Sequence, residues 1–70
     1  MSVSVVLNGE PRRLVEHASV REAVAASGAE AGARGLAVAV DGEVVPRGEW
    51  DAVELRDGQR VEIVKAVQGG

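Results

Sequence analysis

Three dipeptides divide the chain and set what it can become: Asn8-Gly9, Asp41-Gly42 and Asp57-Gly58, each beside aliphatic residues at strand spacing. Asn-Gly and Asp-Gly supply the backbone angles of tight turns, so each break reverses the chain between extended segments. Val3, Val5 and Leu7 alternate with Ser2, Ser4 and Val6 ahead of the first break, and residues 2–16 read as a β-hairpin in which Leu14 packs back beside the first strand. Leu36, Val38 and Val40 alternate with Ala37 and Ala39 ahead of the second break. That strand turns into a short one at residues 43–45, which Pro46 ends. Beyond Asp57-Gly58, "QRVEIVKAV" forms a last strand with Val61 and Ile63 facing inward.

One stretch departs from the two-residue period. In "ASVREAVAASG" Val20, Ala23 and Val24 make a helical stripe, Ser19 and Glu22 form a capping box, and Gly28 is a natural stop. Residues 29–35, "AEAGARG", are small and without period and read as a loop. In "PRGEWDAVELRDG" the anchors of a compact crossing are Trp50, Val53 and Leu55, with Trp50 as core or core lid. The order strand, strand, helix, strand, short strand, strand suits an α+β domain: a mixed sheet of about five strands with one main helix packed on one face, the β-grasp or ubiquitin-like architecture. In that arrangement the first and last strands lie parallel in the middle, and the sheet face away from the helix is bare. Residues 1–66 are expected to form the domain and residues 67–70 a flexible tail.

Composition narrows the chemistry. Seventy residues support one core. With Trp50 the only aromatic and a net charge of -3 spread over mixed signs, the chain offers neither rings to stack bases nor a cationic face, so no nucleic acid is expected. The absence of cysteine removes a disulfide framework, a thiolate nucleophile and a zinc thiolate site, and points to the cytoplasm. No apolar run approaches the ~18 residues of a membrane span. His17, just before the helix cap, reads as an exposed turn residue, and the hydroxyls of Ser2, Ser4, Ser19 and Ser27 have no paired base. The acidic residues show no metal-ligand spacing. An enzyme is not expected, nor a bound cofactor or metal, and the isolated chain is expected to be a monomer.

What remains is the C-terminal "KAVQGG", residues 65–70. Residues without a Cβ let a terminal carboxylate approach closely inside a narrow enzyme channel, where it can attack the α-phosphate of ATP and become an acyl adenylate. An ordinary frayed end is the plain alternative. Neighbouring first, third and last strands would place Val6, Ala37, Ala39, Val64 and Ala66 on the outer sheet face, an aliphatic docking surface bordered by Ser4, Arg60 and Glu62. Scattered small apolar residues on a surface are the alternative there.

"LNGE" at 7–10, "VAVDGEVVPRGEW" at 38–50 and "DGQRVEIVKAVQGG" at 57–70 closely resemble the sulfur carrier proteins of thiamine biosynthesis, the ThiS family. The resemblance covers nearly the whole chain; "GAEAGARG" is its least typical part. It implies a carrier rather than an enzyme. Gly70 would bear a carboxylate adenylated by an E1-like, ATP-dependent adenylyltransferase and then converted to a thiocarboxylate, with ATP used by that partner. Sulfur would come from a cysteine desulfurase or another donor and pass to thiazole synthase. Gly69 would keep the approach unhindered, and Val67 and Gln68 would complete the arm. Sulfur carried on the terminus also needs no thiol side chain. The small subunit of molybdopterin synthase, a ubiquitin-like protein modifier and a plain interaction domain are rival readings, the first disfavoured by "VPRGEW" and the short length.

Overall fold

The computed structural model describes residues 1–29 and 34–65. Along the chain it forms β1 (Ser2–Leu7), β2 (Glu10–Val15), α1 (Val20–Ala26), β3 (Leu36–Val40), β4 (Glu43–Val45), a 3₁₀ turn at Arg47–Glu49, and β5 (Arg60–Lys65). The described strands make one sheet in the order β2-β1-β5-β3-β4. β1 and β5 are parallel, with Val6 opposite Arg60 and Leu7 opposite Val61; the other pairs are antiparallel.

The turns between strands follow from the residues at them. Asn8 (φ 49°) and Gly9 (φ 83°) are both left-handed, as are Asp41 (φ 50°) and Gly42 (φ 85°), the geometry that joins twisted strands through two residues. At Asp57-Gly58 only the glycine is left-handed. Side chains extend the role of these turns. Asp57 Oδ1 accepts from the Ser4 N–H at 2.7 Å, and Asp41 Oδ1 accepts from the Arg60 N–H at 3.0 Å. Asn8 Oδ1 accepts from the Ile63 N–H at 2.8 Å. Each carries a hydrogen-bond ladder past the point where backbone partners run out, as short Asx side chains can.

The inward faces of the strands and the stripe of α1 meet in an aliphatic core that includes Val3, Val5, Leu7, Val20, Ala23, Val24, Val38, Val40 and Val61, all buried. Leu14, opposite Val3, packs against its edge. The helix is short, and its first N–H groups are held from outside: the N–H of Val20 donates to the Val53 carbonyl, that of Arg21 to the Trp50 carbonyl, and that of Glu22 to Ser19. Ser19 is the N-cap, and Gly28 (φ 87°) follows the C-cap at Ser27.

Trp50 is 1% exposed. Its indole N–H donates to the Val45 carbonyl at 2.9 Å, and the Arg47 guanidinium lies 4.7 Å from the ring centroid, with that of Arg21 at 5.9 Å. The "VPRGEW" stretch therefore closes on itself, one arginine covering a ring that the core would otherwise leave open on that side. Leu55 is also buried, and its N–H donates to the Ala18 carbonyl.

In the 29–35 segment Ala29 is half-buried against the core and Arg34-Gly35 form a turn; residues 30–33 lie outside the described residues. The last strand ends its described course at Lys65, two residues before the end expected from periodicity, and residues 66–70 lie outside the described residues. The division expected between residues 66 and 67 falls there too.

Replacing Trp50 with phenylalanine removes the indole donor and leaves the Val45 carbonyl short of its partner. The expected loss is about 2 kcal/mol of unfolding free energy, read by urea denaturation.

Candidate functional site

The outer sheet face is built by strand alternation. With Val61 and Ile63 turned inward, β5 presents Arg60, Glu62 and Val64 outward, and β3 presents Ala37 and Ala39. Ala37 stands opposite Val64, and Ala39 stands between Glu62 on one side and Val44 of β4 on the other. Val64 is 57% exposed and Val44 72% exposed. The structure thus brings Ala37, Ala39 and Val64 together.

Val6 is set apart from them. It is half-buried, opposite Arg60, and the row containing Glu62 separates it from Val64. Glu62 therefore lies within the expected patch rather than at its border. Ala66, also expected on this face, lies outside the described residues, as do Val67, Gln68, Gly69 and Gly70. Val44 is the residue that sequence reasoning missed. The signal was available, because a two-residue period that turns Val45 inward against Val38 must turn Val44 outward.

β5 stands third of the five described strands, and the chain continues from its end toward the terminal glycines. The aliphatic surface of Val44, Ala39, Ala37 and Val64 lies on that strand and its neighbours on one side, β3 and β4.

His17 has left-handed backbone (φ 66°), which no neighbouring glycine announces. Its Nδ1 lies 2.8 Å from a Glu54 carboxylate oxygen and its Nε2 3.3 Å from one of Glu16. The hydrogen bond to Glu54, then the charges of Glu54 and Glu16, raise its pKa above the ordinary 6.5. The histidine links the turn before α1 to the segment running antiparallel beside Ser19. The serines are similarly placed in structure: Ser19 Oγ accepts from the Glu22 N–H, and Ser27 Oγ donates to the Val24 carbonyl. Among the described residues no group of three or more His, Asp or Glu side chains could hold one metal ion. No described helix is long and apolar enough to cross a membrane.

A mixed sheet whose parallel central pair joins the first strand to the last, with one helix across one face, defines this protein as a β-grasp domain. The family model for the ThiS family matches residues 5–70, and the chain belongs to that family. Among solved structures it is similar to the crystal structure of the thiamine biosynthesis protein ThiS from Geobacter metallireducens. The two share 30% identity over 97% of this chain and 100% of that one, with a TM-score of 0.73. A search of curated proteins gives no match.

The His17 contacts set a pH dependence of stability. Because the folded state holds the proton more tightly than the unfolded chain, the contribution is present in full below pH 6.5 and fades as pH rises through the raised value. Asparagine at position 17 tolerates the left-handed backbone but does not titrate. The variant His17→Asn is expected to flatten the fall in melting temperature between about pH 6 and pH 8, measured by thermal denaturation at a series of pH values.

Proposed function

We propose that this ThiS-family chain is a sulfur carrier of thiamine biosynthesis whose reactive group is the Gly70 carboxylate. The observation that carries the reading is the extent of the family match, which runs to residue 70 and so includes the Gly69-Gly70 pair. The placement of β5 agrees with it, since a tail that follows a central strand starts from a firmly held part of the domain.

In this reading an E1-like adenylyltransferase binds ATP, and a Gly70 carboxylate oxygen attacks the α-phosphorus with loss of pyrophosphate. A persulfide sulfur, formed by a cysteine desulfurase or another donor, then attacks the acyl carbon and expels AMP. A second thiol cleaves the resulting S–S bond and leaves the thiocarboxylate, which thiazole synthase consumes in the cytoplasm. The carrier's contribution is access and presentation: with no Cβ at Gly69 or Gly70, the backbone can lie close to the nucleotide. The chain is a co-substrate and binds no cofactor of its own.

The face formed by Val44, Ala39, Ala37 and Val64 serves as the docking surface for these partners. Aliphatic side chains at the centre of such a patch exclude water on docking, while Glu62 and Arg60 supply polar contacts that fix orientation.

Two measurements test this. The intact mass of the untagged chain, after incubation with ATP and an extract competent for thiamine synthesis, is expected to shift by replacement of one oxygen with sulfur. Deleting Gly70 should abolish the shift and leave the far-UV circular dichroism and melting temperature unchanged. No shift in the full-length chain, or a mass gain matching attachment to a lysine of another protein, overturns the carrier reading. For the docking surface, Val64→Asp is expected to raise the KM for the carrier in the adenylation assay by roughly tenfold or more, without unfolding the domain. An unchanged KM removes the patch from the mechanism.

A further inference from the structure

β1 stops at Leu7, opposite Val61, while β5 continues to Lys65. On its β3 side β5 stays paired throughout, to Leu36 opposite Lys65. On its β1 side the backbone ladder ends with the Asn8 N–H donating to the Val61 carbonyl at 2.9 Å. At that point the main chain has turned left-handed and can offer β5 nothing further. The Asn8 side chain takes over, its Oδ1 accepting from the Ile63 N–H at 2.8 Å across 55 residues of sequence. The carboxamide stands where the carbonyl of one more strand residue would stand. It sits at an open groove of about 410 Å³ that Gly9, Arg60 and Glu62 also line.

The turn alone does not require this oxygen. A left-handed φ at position 8 is met by glycine as well as by asparagine. The acceptor is thus an addition to the turn, and it acts on the strand that leads to the tail.

We propose that Asn8 is a positioning residue for sulfur loading: its carboxamide holds the Ile63 N–H, fixing the last turn-free residues of β5 from which the Gly70 carboxylate is presented to the activating enzyme. The inference rests on the carrier reading above. A reacting group delivered on an arm is only as well placed as the base of that arm, and loss of alignment falls on the chemical step rather than on docking. The aliphatic docking residues Val44, Ala39, Ala37 and Val64 do not line the groove at Asn8, although Arg60 and Glu62 do, so loss of the Asn8 acceptor leaves the centre of the docking surface in place.

The test compares two variants. Asn8→Gly keeps the left-handed turn and loses the acceptor; Asn8→Asp keeps the turn and an acceptor oxygen. By amide hydrogen exchange, Asn8→Gly is expected to speed exchange at Ile63 by about fivefold or more, with Val6, which donates to the Gln59 carbonyl, unchanged. In thiocarboxylate formation by the full chain, its kcat is expected to fall roughly tenfold with the KM for the carrier within about twofold, and Asn8→Asp is expected to restore both readings. Asn8→Gly loading at the wild-type kcat, or Asn8→Asp loading as slowly as Asn8→Gly, overturns the proposal. A wild-type chain that gains no sulfur overturns the carrier reading itself, and is distinguished by that control.

Discussion

Everything in this domain hangs on the parallel pairing of β1 with β5. Antiparallel neighbours can be joined by two residues, as β1 with β2 and β3 with β4 are, but a parallel pair needs a crossover that returns the chain to the same end of the sheet. Here the crossover is nearly the whole protein, and β3, β4 and α1 are carried on it. The direct register is short, with Val6 opposite Arg60 and Leu7 opposite Val61. Side chains lengthen it at both ends: Asp57 holds the Ser4 N–H before the paired stretch and Asn8 holds the Ile63 N–H after it. Asp41 does the same from the β3 side through Arg60. The residues that reverse the chain also seal the seam.

The crossover has its own internal support. A helix as brief as α1 gains little from its own hydrogen bonds, since the cost of nucleation is spread over few residues. It is held instead by apolar contact along Val20, Ala23 and Val24 and by carbonyls of Trp50 and Val53 that receive its leading N–H groups. Those carbonyls are in place because Trp50 is locked by its indole bond to Val45 and by the cover of Arg47 and Arg21. A motif that stands out in the sequence therefore serves the helix first, and through it the sheet.

Much of this was legible from residue types and spacing. Alternation placed Val3, Val5 and Leu7 inward and Ala37, Ala39 and Val64 outward, because a period of two leaves a strand little freedom once one face is buried. The Asn-Gly and Asp-Gly pairs announced their turns through local stereochemistry. Less visible was anything decided by register between distant strands. That Glu62 stands beside Ala39, dividing Val6 from Val64, depends on how β5 aligns with β1 and β3, which no local pattern records. His17 was read as an exposed turn residue and is exposed, but its left-handed backbone has no glycine to announce it and its bond to Glu54 reaches a partner 37 residues away. The second role of Asn8 was hidden for the same reason, its partner lying at the other end of the chain. The candidate docking face was partly legible: Ala37, Ala39 and Val64 were read from their periods and Val44 was missed although the period of β4 announces it, whereas the standing of residues 66–70 rests on resemblance and family membership.

The position of β5 in the sheet also governs the order of assembly. Because the strand that fills the centre is the last described one, a nascent chain that has not yet made residues 60–65 holds two separate hairpins and a helix with no common sheet to pack on. Contacts of such large sequence separation slow folding, because the chain between the paired strands has to close before their pairing rewards it. The aliphatic outer face spans β4, β3 and β5, so the β3–β4 hairpin carries only part of it until the final strand sets Val64 opposite Ala37. A chain that stops before residue 60 lacks Val64, and with it the β5 side of that face.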